Sequence, residues 1–284
     1  MTGSASPLLE RMRAWSFALA GRDARERLER LRTPANEYGV DPYGFDLDYA
    51  VGALAPFLWL YRKWFRVQVH GIGSVPPQGR VLLVANHSGQ LPLDAAMLGV
   101  ALLVELDPPR AARALVEKWV PTLPFVSAFY ARLGQVVGTP ENCRRLLQAG
   151  EALMVFPEGV RGLNKPWSER YRLQEFGPGF LRLALECDAP VVPVGVVGAE
   201  EQAPRLLNLA PLARLLSMPA FPITPTILPF PLPTRYHLWF GEPMRFTGAP
   251  DDEDAVLEEK VASVKAAVQA LVDRGLRERP GVFR

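Results

Sequence analysis

His87 and Asp94 stand seven positions apart in "VLLVANHSGQLPLDAAML", the histidine where one apolar run stops and the acid where another begins. Together they can do chemistry. An imidazole takes a proton from a hydroxyl while a carboxylate on its other nitrogen fixes the tautomer and stabilises the imidazolium. A histidine also falls near an acid by chance, and the pair alone does not separate a base from a structural residue. A second constellation, "VFPEGVRG" from Val155 to Gly162, offers Glu158 as a hydrogen-bond acceptor and Gly159 for close backbone approach. Its Arg161 is a planar donor fork suited to phosphate or carboxylate. A turn with a surface ion pair is the competing reading there.

Both constellations fall where strands should end. Short β-branched runs alternate with helical patterns: strands "RVQVHG", "VLLVA", "ARALV", "GQVV", "ALMVF" and "VVPVGVVG", with helices over about 92–104, 125–133, 141–150 and 178–187 between them. The alternation predicts an α/β fold, a mixed, largely parallel sheet flanked by helices. In such a sheet ligands gather at the carboxyl ends of the strands, so parallel "VLLVA" and "ALMVF" would bring His87 and Glu158 to one rim. Pro92 and Asp94 suit a helix start, where a missing N–H costs nothing and an acid meets the positive end of the dipole. A helical extension is expected over residues 1–48, a main domain over 49–250 and a closing helix over 251–284, with Gly275 just past its end.

The composition bounds the function. With 284 residues and a net charge of +2, the chain can bury a large core and makes no general case for nucleic acid. Cys143 and Cys187 are too few for a disulfide framework, and His70 and His237 lack companions at metal-ligand spacing, so no metal is expected. There is no phosphate loop, no dinucleotide fingerprint and no G-x-S-x-G elbow around Ser88.

Two stretches are more apolar than a soluble domain needs. Tyr49 to Tyr61 runs about 13 residues before Arg62, Lys63 and Arg66, short of the roughly 20 that span a bilayer. Its aromatic residues Phe57, Trp59, Tyr61, Trp64 and Phe65 beside cations suit a membrane interface, and an ordinary core helix is the equal alternative. The proline-broken stretch over 206–233 can cap a groove or rest on lipid.

Taken together, "NHSGQLPLD", "VFPEGVRG" and "VPVGVVG" resemble, in order and separation, the motifs of the glycerolipid acyltransferase superfamily, over about Val67 to Phe246. The resemblance implies acyl transfer from acyl-CoA or acyl carrier protein to a hydroxyl of a lysophospholipid or glycerolipid, with His87 as general base and Asp94 as its partner. It implies that Asn86, Phe156, Pro157, Glu158, Gly159, Arg161 and Lys165 bind substrate. It implies no cofactor beyond the thioester donor, and a peripheral or monotopic position on the cytoplasmic face of a membrane. The sequence departs from the family pattern in two places. Six residues rather than four separate His87 from Asp94, and "GTPENCRRLL" follows "GQVV" where phosphate-acceptor enzymes commonly carry an arginine. Both features resemble the monoacylglycerol and diacylglycerol acyltransferase branch, so a neutral-lipid enzyme and an inactive lipid-binding protein stand as alternatives.

Overall fold

Val81–Ala85 is apolar at every position because both of its faces are covered. Val81, Leu83 and Ala85 belong to one core layer, and Leu82 and Val84 to the layer on the other side. The period-2 alternation of a strand thus serves two hydrophobic faces, as expected for a parallel strand between helices. A computed structural model describes residues 39–88, 92–118, 126–163, 165–204 and 230–284, with scattered positions before residue 39 and around 122, 207 and 222. The predicted extension over 1–48 and the proline-broken stretch over 206–233 lie largely outside the described residues.

In chain order the described elements begin with α1 (Leu47–Trp59), which runs into a π-helical turn (Leu60–Trp64), followed by β1 (Gln68–His70) and β2 (Val81–Ala85). Then come α2 (Leu93–Val104), β3 (Ala112–Val116), α3 (Val126–Arg132), β4 (Val136–Val137) and α4 (Pro140–Gln148). Next are β5 (Ala152–Val155), the short α5 (Val160–Leu163), α6 (Gly179–Glu186) and β6 (Val191–Val197). A two-stranded pair, β7 (Leu207–Asn208) and β8 (Pro222–Ile223), precedes β9 (His237–Phe240) and α7 (Asp254–Glu278).

The main sheet has seven strands in the order β1-β9-β6-β2-β5-β3-β4. Strand β2 lies parallel to both β5 and β6, and β3 parallel to β5 and β4. Strand β9 runs antiparallel to β6 and parallel to β1, so the sheet is mixed. Helices α1 and α2 cover one face, and α4, α6 and α7 the other.

Local chemistry explains the helix starts. Asp46 caps α1 by accepting from the Tyr49 N–H at 2.9 Å, and Thr139 caps α4 by accepting from the Asn142 N–H, with Pro140 next. Helix α7 ends later than predicted. Gly275 lies inside it rather than after it, because a Cβ there would come within 2.8 Å of Trp239 Nε1. That glycine marks a close helix–sheet approach instead of a cap.

The apolar stretch after Tyr49 is mostly a core helix. Its Val51, Leu54, Ala55 and Leu58 are buried, and so are Tyr61 and Phe65, in keeping with the core-helix alternative. At its end lies the π-helical turn, where the Phe65 N–H reaches Leu60 C=O at 2.7 Å. Among the described residues no helix is long and apolar enough to cross a membrane.

Candidate active site

The rim of the sheet is built where β2 and β5 end side by side. Parallel pairing of Val84 with Val155 delivers "NHS" and "FPEG" to the same edge. His87 Nδ1 lies 2.7 Å from Asp94 Oδ2, and the same oxygen accepts from the Ser88 N–H at 2.9 Å. Asp94 Oδ1 accepts from the Ala95 N–H at 2.8 Å. The acid sits in the first turn of α2, fully buried, while the His87 side chain keeps 13% of its surface exposed. A carboxylate accepting two backbone N–H groups has little freedom to turn, so the imidazole that donates Nδ1–H to it presents a lone pair at Nε2. The six-residue spacing does not keep the pair apart.

The second loop holds the first. Glu158 is buried and its Oε1 accepts from the His87 backbone N–H at 3.0 Å, while Oε2 accepts from the Gln174 N–H at 2.7 Å. The Phe156 ring packs on the imidazole with centroids 4.5 Å apart. Gly159 adopts φ +54°, a left-handed backbone that favours glycine. Gly162 is needed for a different reason: a Cβ there would come within 2.9 Å of the His87 carbonyl oxygen and of Glu158 Cβ. Nothing in the sequence reading separated Gly162 from an ordinary turn glycine.

Three assignments change in the folded chain. Asn86, expected to touch substrate, is fully buried, its Nδ2 donating to Val196 C=O at 2.9 Å and its Oδ1 accepting from Val196 N–H at 2.7 Å. It ties the end of β2 to β6 and has no surface left for a ligand. Lys165, also expected to bind substrate, has a buried side chain with Nζ 2.8 Å from Glu200 Oε1 and 3.4 Å from Glu158 Oε2. Its charge balances buried acids. Glu158 itself is buried and faces backbone donors and Lys165.

Arg161 is exposed and pairs with Glu175 at 3.1 Å, an ion pair that water screens and that opens at little cost. Pro157 is half-buried between Phe156 and Glu158. Glu200 escaped the sequence reading because its partners lie far along the chain; its Oε2 also accepts from the Tyr171 N–H. Burial pushes its carboxyl above the usual range, against the pull of Lys165.

Two cavities open on the domain. One, of about 140 Å³, lies between α1 and α2, lined by Leu54, Phe57, Ala95, Gly99, Leu103 and Met154 among others. Ala95, next to Asp94 in the chain, lines one part of it, and Arg110 and Ala112 near the start of β3 line another. The other, of about 380 Å³, is lined by Tyr43, Ser127, Tyr130, Val137 and Asn142 at the ends of β3 and β4. The Tyr130 hydroxyl is pushed up by burial and then by the charge of Asp94. Arg144 and Arg145 turn to Glu141 and Glu186 on the outer side of α4. Among the described residues no group of three or more His, Cys, Asp or Glu could hold a metal ion.

A family model described as Acyltransferase matches residues 66–197, which include both loops of the rim. The chain is 40% identical over 259 residues to an uncharacterized protein of Mycobacterium leprae, covering 87% of this chain and 70% of that one. It is 26% identical over 221 residues to the DGAT1/2-independent enzyme synthesizing storage lipids of Bos taurus, covering 75% of this chain and 61% of that one. The crystal structure of the 1-acyl-sn-glycerophosphate (LPA) acyltransferase, PlsC, from Thermotoga maritima superposes with a TM-score of 0.53 at 18% identity, over 96% of this chain and 97% of that one. That likeness is one of fold.

Proposed function

The chain belongs to the acyltransferase family, and from that premise we propose that it moves a fatty acyl group from an acyl thioester to a hydroxyl of a lysophospholipid or other glycerolipid at a membrane surface. The observation that carries this reading is the 2.7 Å contact between His87 and Asp94 at the rim, with Glu158 holding the histidine backbone. His87 Nε2 takes the proton of the acceptor hydroxyl as its oxygen attacks the thioester carbonyl. Asp94 stabilises the imidazolium that results. Collapse of the tetrahedral intermediate forms the ester and breaks the C–S bond, and the leaving thiolate takes the proton back from His87. The donor is acyl-CoA or acyl carrier protein, and the apolar lining of the cavity between α1 and α2 supports that cavity as the seat of its chain.

The test is incubation with acyl-CoA or acyl carrier protein and a panel of lysophospholipids, monoacylglycerol and diacylglycerol, followed by thiol release and lipid separation. The His87→Ala protein should keep its melting transition and lose about 100-fold or more in turnover. Undiminished turnover in that variant would remove His87 as the base. A preference for neutral acceptors would instead support the neutral-lipid reading, in keeping with the name of the Bos taurus relative.

A further inference from the structure

We infer that Trp167, Arg170 and Arg172 form a seat for the nucleotide end of coenzyme A, which makes acyl-CoA the donor. The inference rests on the lipid acyltransferase reading and chooses between the two donors that reading admits. The path of the chain supplies the first step. Gly162 lies against the rim, where a Cβ would come within 2.9 Å of the His87 carbonyl oxygen, and the Gln174 N–H donates to Glu158 Oε2 at 2.7 Å. The stretch between them therefore leaves the rim and returns to it. At about 3.5 Å per residue, the five steps from Gly162 to Trp167 span no more than about 17 Å. The extended pantetheine arm and diphosphate of coenzyme A can bridge such a distance from a thioester placed at His87.

The middle of the stretch is held from inside. Tyr171 is buried with φ +63°, a left-handed backbone that a bulky residue keeps only where its surroundings fix it. Its N–H donates to Glu200 Oε2 at 2.8 Å, its C=O accepts from Gln269 Nε2 at 2.9 Å, and its hydroxyl accepts from the Gly198 N–H at 2.8 Å. Next to it, the Leu173 N–H donates to Gln269 Oε1 at 3.1 Å. With Tyr171 turned inward, its neighbours Arg170 and Arg172 are exposed, and Trp167 is 43% exposed beside them.

Their chemistry selects the ligand. The Arg170 guanidinium lies over the Trp167 indole, 4.7 Å from the ring centroid, and its Nη1 donates to the Trp167 C=O at 3.3 Å. A flat apolar ring and a planar donor fork are thus presented together. The nearby carboxylates are engaged elsewhere: Glu169 accepts from Gln174 Nε2 at 3.3 Å, and Glu175 pairs with Arg161 at 3.1 Å. A purine stacks on such a ring, and phosphates meet such forks. Coenzyme A brings an adenine with phosphates attached. The phosphopantetheine of a carrier protein brings no purine, so it leaves the ring without a partner.

The experiment compares two donors that share the reacting end, palmitoyl-CoA and S-palmitoyl-pantetheine, which lacks the nucleotide. With the full chain, Trp167→Ala should raise KM for palmitoyl-CoA about 5- to 100-fold, the range for losing one base stack. Arg170→Gln with Arg172→Gln should raise it about 10-fold or more. Both should keep kcat on palmitoyl-CoA and leave the kinetics on palmitoyl-pantetheine unchanged, a split that a merely structural loss would not produce. Calorimetry with coenzyme A, and with adenosine 3′,5′-bisphosphate alone, reads the same seat without turnover, and both variants should bind more weakly than wild type. If one variant loses its melting transition, the other carries the test. Wild-type KM for palmitoyl-CoA in the variants, an equal loss on palmitoyl-pantetheine, or a wild-type chain that accepts only acyl carrier protein would overturn the inference. Coenzyme A binding that depends on Trp167, in a chain that transfers no acyl group, would instead sink the enzymatic reading and leave the seat standing.

Discussion

Replacing Glu158 by Gln separates a residue that positions the base from one that touches the acceptor. The glutamine is isosteric, so packing is kept while the hydrogen-bonding pattern breaks. Glu158 offers two oxygens to two backbone N–H groups, from His87 at 3.0 Å and Gln174 at 2.7 Å. An amide keeps one oxygen and turns an NH2 toward the other donor. One buried N–H is left without a partner, at about 1–3 kcal/mol. Lys165 also loses its 3.4 Å contact with a charged group and keeps only Glu200, so a total near 3 kcal/mol is expected. At roughly 2–4 °C per kcal/mol, the melting temperature should fall on the order of 10 °C. If the His87 N–H is the orphan, the imidazole shifts, and a displacement near 1 Å costs about 100-fold in rate. Thiol release measured against acceptor concentration should then show kcat down by about 10- to 100-fold with acceptor KM nearly unchanged. A large rise in acceptor KM with kcat retained would refute the positioning role and restore Glu158 to the acceptor.

Three further outcomes follow from the geometry. Gly162→Ala sets a methyl 2.9 Å from the His87 carbonyl oxygen, so about 1–3 kcal/mol of stability and most of the turnover should go together, read by denaturant melts and the same assay. Gly99 lines the apolar cavity, where an added Cβ would stand 3.7 Å from Met154 Cε. Gly99→Leu should therefore fold and shift the preferred acyl chain to shorter lengths, measured across a donor series; an unchanged profile would place the chain elsewhere. His237 is held near pKa 4, chiefly by burial and then by the nearby His70, Arg235 and Arg279, and burial lowers His70 as well. Unfolded histidine binds a proton near pH 6.5, so this stability is complete above that pH and is lost as pH falls toward 4. For His237 the loss amounts to about 3 kcal/mol, and His237→Phe should flatten the slope in denaturant melts between about pH 7 and pH 5.

The parts of the site legible in the sequence are those whose position follows from a strand ending. His87 comes two residues and Glu158 three residues after the last residue of its strand, so alternation of elements sufficed to bring them to one rim. The side chains behind them were not legible, because residue type tells what a group can bond and not whether backbone already holds it. Asn86 and Lys165 have the chemistry of ligand-binding residues, yet Val196 takes the first and two buried acids, Glu158 and the distant Glu200, take the second. Tyr61 and Phe65 settle on the core-helix side of two readings that the sequence left equal, since burial depends on what packs against the helix and residue type does not report that.

The spacing between His87 and Asp94 shows how such pairs survive changes in loop length. The histidine end is anchored by Asn86 on β6 and by Glu158 on the His87 N–H. The acid end is anchored by the start of α2 and the Ala95 N–H, and the Ser88 N–H joins the two through the same Asp94 oxygen that meets the imidazole. Every one of these anchors lies outside the segment between Ser88 and Pro92. Among the described residues, the geometry of the pair is held from β2, β5, β6 and α2, and lengthening a loop costs a closure entropy that grows slowly with length. Counting residues between the histidine and the acid measures the loop; the catalytic distance belongs to the sheet.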